Sequence, residues 1–173
     1  ANTANQGAIT EYPPAALTTN TTTTITTAAY GNGAYTATAS SVGGTLYPYY
    51  AFNKSSTNTG SSTWQGNSTP YNPANGYYSP TTSLTQYYTL VSNTPYYGEW
   101  LQIKMPVAIV LTGYLLQGRE LAWIGQTPAT WYIAGSNDGI SWVLLDSRVN
   151  QVYTLGNQSY TYAVNNYSAY AYY

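Results

Sequence analysis

Short apolar runs separated by turn residues make up the chain from residue 34 onward, and no segment keeps the 3.6-residue apolar period of an amphipathic helix. Residues 100–105 alternate apolar and polar side chains until Pro106, where we expect the strand to stop. Further strands are predicted at residues 35–41, 107–117, 131–134, 142–145, 152–155, 160–164 and 170–173. Short strands at this spacing predict an all-β chain, built as an antiparallel β-sandwich or jelly roll.

The strongest hairpin signal joins the predicted strands 131–134 and 142–145. Between them lie Gly135, Ser136, Asn137, Asp138 and Gly139. Asn and Asp before Gly tolerate the positive φ that a tight hairpin turn requires. The sequence therefore predicts an antiparallel strand pair at this point.

The first 33 residues differ from the rest of the chain. Eight of the ten residues from Thr18 to Thr27 are threonine, and no apolar alternation accompanies them. The branched Cβ of threonine disfavours a helix, so we expect an extended arm or linker that adds nothing to the core. Two alternatives stay open: a disordered tail, or an arm that becomes ordered against a neighbouring subunit.

A second irregular region, residues 53–97, is rich in Ser, Thr, Asn, Gly, Pro and Tyr and is too long for an ordinary connection. Long loops on a β-scaffold often carry function. The alternative is that this region is ordered coil covering one end of the sandwich.

The scarcity of charge excludes several classes of function. Only 5% of the residues are charged, and the chain has neither Cys nor His. It therefore has no disulfide, no zinc or haem site of the common kinds and no Ser-His or Cys-His nucleophile pair. The four basic residues are isolated, so we expect no nucleic-acid partner.

Catalysis and membrane insertion are also disfavoured. Glycoside hydrolysis needs two carboxylates facing each other, and no pair stands out among Glu99, Glu120, Asp138 and Asp146. We expect a protein that is not an enzyme. The longest apolar run, residues 107–111, is far shorter than the ~20 residues of a transmembrane helix. A surface of uncharged hydroxyl and amide groups is typical of extracellular proteins and virion surfaces.

Carbohydrate binding requires an aromatic platform and several hydrogen-bonding groups at loop tips, and the chain has 22 tyrosines and five tryptophans. One predicted platform is Trp123 with Arg119 and Glu120, in the loop after the long strand. The other is the set Tyr71, Tyr77 and Tyr78 in the 53–97 region. Aromatic residues also enrich subunit interfaces, so self-assembly or contact with other coat subunits is the alternative.

Several dispersed motifs of the chain resemble those of the discoidin family, also called the coagulation factor type C domain. In the first half the motifs are residues 35–41 (YTATASS), 51–53 (AFN), 63–64 (TW) and 98–103 (GEWLQI). In the second half they are residues 109–114 (IVLTGY), Arg119, residues 128–139 (PATWYIAGSNDG), Trp142 and residues 145–146 (LD). The motifs occur in the family's order and span roughly residues 34–173.

This resemblance implies an eight-stranded antiparallel jelly roll whose loops at one end bind a ligand, commonly a glycan or a phospholipid head group. The disulfide that joins the termini of the animal members is impossible here, so the chain is more similar to microbial and viral members and to carbohydrate-binding modules. Its Tyr- and Thr-rich composition is similar to that of discoidin-like segments in surface and minor capsid proteins of large algal DNA viruses. The family continues with an Arg and a further apolar strand after a pattern like residues 169–173, so we expect residues 34–173 to be a domain truncated before its last strand.

The resemblance also concerns a cofactor. Many microbial members hold a structural calcium near an Ala-Phe-Asp-Gly motif, where this chain has Ala51, Phe52, Asn53 and Lys54. A neutral side chain followed by a cation weakens such a site, and a calcium ion at Asn53 is the one cofactor left open. Candidate N-glycosylation sequons begin at Asn20, Asn53, Asn67, Asn157 and Asn166. The sequence thus predicts a non-catalytic surface module that binds a glycan or glycoprotein or assembles into a coat.

Overall fold

The computed structural model describes residues 10–28, 30–57, 62–67 and 88–173, and Tyr88 by its backbone alone. The chain is all-β. The described strands are β1 (Thr21–Thr24), β2 (Gly33–Ala39), β3 (Tyr88–Val91), β4 (Thr94–Tyr97), β5 (Leu101–Val110), β6 (Gly113–Gln117), β7 (Trp131–Gly135), β8 (Val143–Arg148), β9 (Ser159–Ala163) and β10 (Ala169–Tyr172). Short 3₁₀ helices lie at Pro48–Phe52 and Leu121–Gln126. In the described residues no helix has the length and apolarity needed to cross a bilayer.

All of the strand pairs named here are antiparallel. One sheet has four strands in the order β1-β2-β5-β10, and β3–β4, β6–β9 and β7–β8 form two-stranded sheets. Three of the pairs, β2–β5, β5–β10 and β6–β9, join strands that are far apart in the sequence. In the described part of the chain, long-range pairing and pairing of consecutive strands therefore contribute three strand pairs each.

The main core lies on one face of the four-stranded sheet. Alternate residues of two neighbouring strands enter it: Tyr35 and Ala37 from β2, and Ile103 and Met105 from β5. The alternation predicted for residues 100–105 is therefore confirmed. Tyr35 is fully buried, and its hydroxyl donates a 2.7 Å hydrogen bond to the carbonyl oxygen of Gly31. The polar group that this side chain brings into the core is therefore hydrogen-bonded.

The prediction that the Thr-rich segment adds nothing to the core is wrong for its described part. Residues 21–24 pair with β2 in the register Thr21 to Thr36. Leu17, just before the threonine run, is 1% exposed and belongs to the core cluster, and its backbone N–H donates to the carbonyl of Phe52 at 3.0 Å. The burial of Leu17 and the pairing of β1 with β2 together attach this segment to its own chain.

The strand bounds differ from the prediction in the middle of the chain. β5 continues through Pro106 to Val110, and β6 starts separately at Gly113, so the predicted strand 107–117 is two strands. Proline has no backbone N–H to donate to a neighbouring strand. Pro106 is tolerated because the described pairing of β5 with β2 ends at Lys104, and the pairing of β5 with β10 is irregular between Lys104 and Ile109. Residues 152–155 form no strand.

The irregular region 53–97 ends in a hairpin that the sequence analysis missed. β3 and β4 are joined by Ser92 and Asn93, both at positive φ (50° and 64°), as a two-residue hairpin turn requires. The prediction of a continuous loop is therefore wrong for Tyr88–Tyr97. The missed signal was the polar pair Ser92-Asn93 between two short runs rich in Tyr and Thr, YTLV at residues 88–91 and TPYY at residues 94–97.

The hairpin predicted around residues 135–139 is confirmed as the β7–β8 pair. Asp138 organises its turn: one carboxylate oxygen accepts hydrogen bonds from the backbone N–H groups of Ser141 (2.7 Å) and Ile140 (2.8 Å) and from the Ser136 hydroxyl (2.9 Å). These bonds stabilise the ionised form and lower the pKa of Asp138 well below its usual range. Gly139 takes the positive φ of 73° that the turn demands.

A polar cluster with an aromatic frame joins the β6–β9 and β7–β8 sheets. The Tyr114 hydroxyl donates to Asp146 and accepts from the Trp131 indole N–H, each at 2.7 Å, and Arg148 Nε donates to Asp146 at 2.8 Å. Tyr162 stacks on Tyr114 at a centroid distance of 5.2 Å. Burial opposes ionisation of Asp146, yet hydrogen bonds from Arg148 and Tyr114 outweigh it and lower its pKa. Burial, followed by the bond to Asp146, raises the pKa of Tyr114 to about 12.

Candidate ligand-binding site

A small open pocket lies at the end of β6, lined by Gln65, Arg119, Trp123 and Gln126, with a volume of about 290 Å³. We refer to it as the Trp123 pocket. The Arg119 guanidinium carbon lies 5.9 Å from the Trp123 ring centroid, within cation–π range. Trp123 is 51% exposed, which is a large exposed fraction for an indole. Arg119 Nη1 donates to the carboxamide oxygens of Gln126 and Gln65, the latter at 3.4 Å.

The Arg119 and Trp123 side chains are positioned by a short loop that follows β6 and contains the 3₁₀ helix Leu121–Gln126. The Arg119 carbonyl accepts from the backbone N–H of Asn157 at 2.9 Å, and the Arg119 N–H donates to the Thr127 hydroxyl at 3.2 Å. Gly156 packs so closely that an added Cβ would lie 2.2 Å from the Leu121 nitrogen. The loop is therefore fixed at both ends and against the segment before β9.

Gln65 reaches the pocket from a distant part of the sequence. Its carbonyl accepts from the Gly43 N–H at 2.8 Å. The neighbouring Trp64 indole N–H donates to the Ser41 carbonyl at 3.2 Å. The Ser41 hydroxyl in turn donates to Glu99 at 2.6 Å, and the Ser40 hydroxyl donates to the same carboxylate. Glu99 thus fixes the segment that follows β2 by hydrogen bonds, and this segment in turn is hydrogen-bonded to the segment that contains Gln65.

The structure brings together part of the predicted site. Arg119 and Trp123 line the same pocket, whereas Glu120 precedes the 3₁₀ helix and does not line the pocket. The other predicted platform, Tyr71, Tyr77 and Tyr78, lies outside the described residues.

Two residues that line the pocket were missed by the sequence analysis. Gln126 lies three positions after Trp123 in the same loop, so its proximity was a usable signal. Gln65 is separated from Arg119 by 54 positions and carried no signal, because only the folded chain brings them together.

The residues at the calcium position do not fit a calcium ion. The Asn53 carboxamide oxygen accepts from the Ser55 N–H and its nitrogen donates to the Ser62 carbonyl, both at 2.9 Å, so this side chain closes a turn. Lys54 forms a 2.5 Å ion pair with Glu11, which places a cation beside the position. Among the described residues no group of three His, Cys, Asp or Glu side chains is arranged to hold a metal.

The five sequon asparagines differ in their accessibility. Asn20 and Asn67 are exposed, and Asn53 and Asn157 are half-buried. Asn166 is only 8% exposed, and its amide nitrogen donates to the Ser168 carbonyl at 2.8 Å. Glycosylation of any of them stays a prediction, and it is sterically easiest at Asn20 and Asn67.

Neither a protein-family model nor a curated protein matches this chain.

Proposed function

We propose that this chain is a discoidin-like jelly-roll module that binds carbohydrate, without catalysis, in the Trp123 pocket. The observation that carries the proposal is the arrangement of one half-exposed indole, one guanidinium and two carboxamides around a pocket of about 290 Å³. This volume lies just below the ~300–1,000 Å³ typical of small-molecule sites and suits one sugar ring. An indole packs against the apolar face of a pyranose while amide and guanidinium groups bind its oxygens.

The all-β antiparallel architecture supports the jelly-roll part of the proposal. Strands that pair across long stretches of sequence, such as β2 with β5 and β6 with β9, are typical of Greek-key and jelly-roll connectivity. The pocket lies in the loop after β6, and the discoidin resemblance implies that the ligand site lies in such loops. Such a module would act outside the cytosol, at a cell or virion surface.

Binding without catalysis is supported by the roles of the carboxylates. Asp138 organises a turn, Asp146 lies in the cluster with Tyr114, and Glu99 accepts from two serine hydroxyls. Each of these groups is engaged in holding the fold. A hydrolase would instead need two carboxylates facing each other across the bound sugar.

The experiment is a glycan array with the full chain, followed by calorimetric titration of the glycans that bind. We expect Trp123→Ala and Arg119→Ala to lower affinity by about tenfold or more, the equivalent of ~1.4 kcal/mol. Tyr167→Ala is the matched control, because Tyr167 is 88% exposed and lies beyond the other end of β6, after β9. The proposal fails if no glycan binds, or if the pocket variants bind as tightly as the control.

A second candidate is a structural role in a coat or filament. Apolar side chains on two strands are exposed: Val107 and Val110 on β5, and Val143 and Leu144 on β8. Exposed apolar surface of this kind favours subunit contacts. Sedimentation across a concentration series tests it. Assembly together with no glycan binding would replace the lectin proposal, whereas a monomer at high concentration with Trp123-dependent sugar affinity would exclude the structural role.

A further inference from the structure

The Trp123 pocket presents hydrogen-bond donors and few acceptors. Nη1 of Arg119 donates to the Oε1 atoms of both Gln65 and Gln126, so the oxygen of each carboxamide is turned toward the guanidinium. The NH₂ group of each glutamine is left pointing away from Arg119, and neither donates to any residue in the described part of the chain. Because a guanidinium can only donate, this orientation of the two carboxamides follows from chemistry alone.

The charge of Arg119 is also uncompensated. Among the described residues, Lys54 pairs with Glu11 and Arg148 pairs with Asp146, but Arg119 has no carboxylate within 4.0 Å. Its Nε–H is shielded from solvent and has no hydrogen-bond partner in the described ranges. Burial of an N–H group of a charged side chain destabilises the folded state unless a partner accepts its hydrogen bond or neutralises its charge.

We infer, on the basis of the proposed function, that the sugar bound in the Trp123 pocket carries a carboxylate. A carboxylate only accepts hydrogen bonds, so it complements a site made of one guanidinium and two amide NH₂ groups. It also supplies the missing counter-charge to Arg119. A neutral sugar presents hydroxyls that are donors as well as acceptors, and their donors would find few acceptors among the residues lining this pocket.

The recognition is local rather than a general attraction for polyanions. The chain carries a net charge of -1, and the other charged residues are scattered. A single ionic contact gives a weak dependence on salt, in contrast to the steep dependence of a protein that binds a polyanion through a basic stripe. The Trp123 face supplies the remaining contact through the apolar side of the sugar ring.

The test compares matched sugars by protein-observed NMR titration of the full chain. The acidic probes are the methyl glycosides of glucuronic and galacturonic acid, and the neutral probes are the methyl glycosides of glucose and galactose. Glucose 6-sulfate is a third probe, which carries a sulfate as its anionic group in place of a carboxylate. We expect at least one uronide to bind about tenfold more tightly than its neutral counterpart, the scale of one charge-assisted contact. Arg119→Gln, which keeps a side-chain N–H donor but removes the charge, should abolish that difference.

Lys104→Gln is the matched charge control, because the Lys104 ammonium lies 5.4 Å from the Tyr172 ring centroid on the four-stranded sheet and not at the pocket. It should leave the preference for the uronide unchanged, and thermal melts confirm that both variants fold. Equal binding of acidic and neutral sugars, lost in Trp123→Ala, overturns this inference and leaves the proposed function intact. Binding of the sulfated probe in preference to every uronide overturns the assignment of a carboxylate. If no sugar binds, the proposed function fails and this inference fails with it.

Discussion

Replacing Leu17 with alanine should destabilise the fold strongly, although Leu17 lies beside a threonine run that looks like a linker. Leu17 is 1% exposed, so the substitution loses the full transfer free energy of the removed isopropyl group. Its neighbours in the core cluster are anchored on β2 and β5 and cannot close the cavity easily. Buried Leu→Ala changes cost about 2–5 kcal/mol, and we expect about 3 kcal/mol here. At ~2–4 °C per kcal/mol for a chain of this size, Tm should fall by roughly 6–12 °C.

Calorimetry and urea unfolding of matched variants provide the assay. Leu155→Ala is the control, because Leu155 is 60% exposed and lies outside the strands, and it should change stability by no more than about 0.5 kcal/mol. Leu17→Met keeps the volume and should cost less than about 1.5 kcal/mol, which preserves a readable result if Leu17→Ala fails to fold. The reasoning is refuted if Leu17→Ala unfolds at the same urea concentration as Leu155→Ala.

Two further predictions follow from the packing. The pKa of Asp146 is lowered in the folded state, so its contribution to stability is present above its unfolded pKa of about 4 and is lost as the pH falls through its folded value. The stability difference between the wild type and Asp146→Asn should therefore be largest at neutral pH and should shrink in acid, as measured by urea unfolding from pH 7 to pH 2. A constant difference would contradict this. Gly156→Ala should destabilise by about 1–3 kcal/mol, because the new Cβ would clash with the Leu121 backbone, and should weaken any ligand binding in the Trp123 pocket. Gly125→Ala, whose Cβ would meet no atom within 4 Å, is its control in the same thermal melts.

The strands that could be predicted were those with a local signal. Alternation in residues 100–105 and the Asn137-Asp138-Gly139 turn both depend on side chains close together in sequence, and both elements are present. The pairing of β5 with β2 and β10 had no such signal. The sequence predicts a strand end at Pro106, but β5 continues through it because the pairing with β2 has already ended at Lys104, and no local pattern reveals where a partner strand stops.

The residues of the candidate site also differ in whether the local sequence could predict them. Arg119 and Trp123 were predictable because they lie four residues apart in one loop after a predicted strand. Gln65 reaches the pocket through contacts between distant segments: Glu99 accepts a hydrogen bond from Ser41, and Ser41 in turn lies against the segment of Gln65. That chain of contacts crosses three separate parts of the sequence and depends on the completed sheet.

The sequence by itself determined the all-β class and the absence of cysteine and histidine chemistry. Alternation and turn propensity act within a few residues, and composition applies to any fold. Only the tertiary structure decided that Leu17 belongs to the core and that two glutamine oxygens face Arg119. The physical reason is that burial and hydrogen-bond partnership are properties of pairs of groups, and some of the deciding pairs, such as Arg119 with Gln65, join residues far apart along the chain.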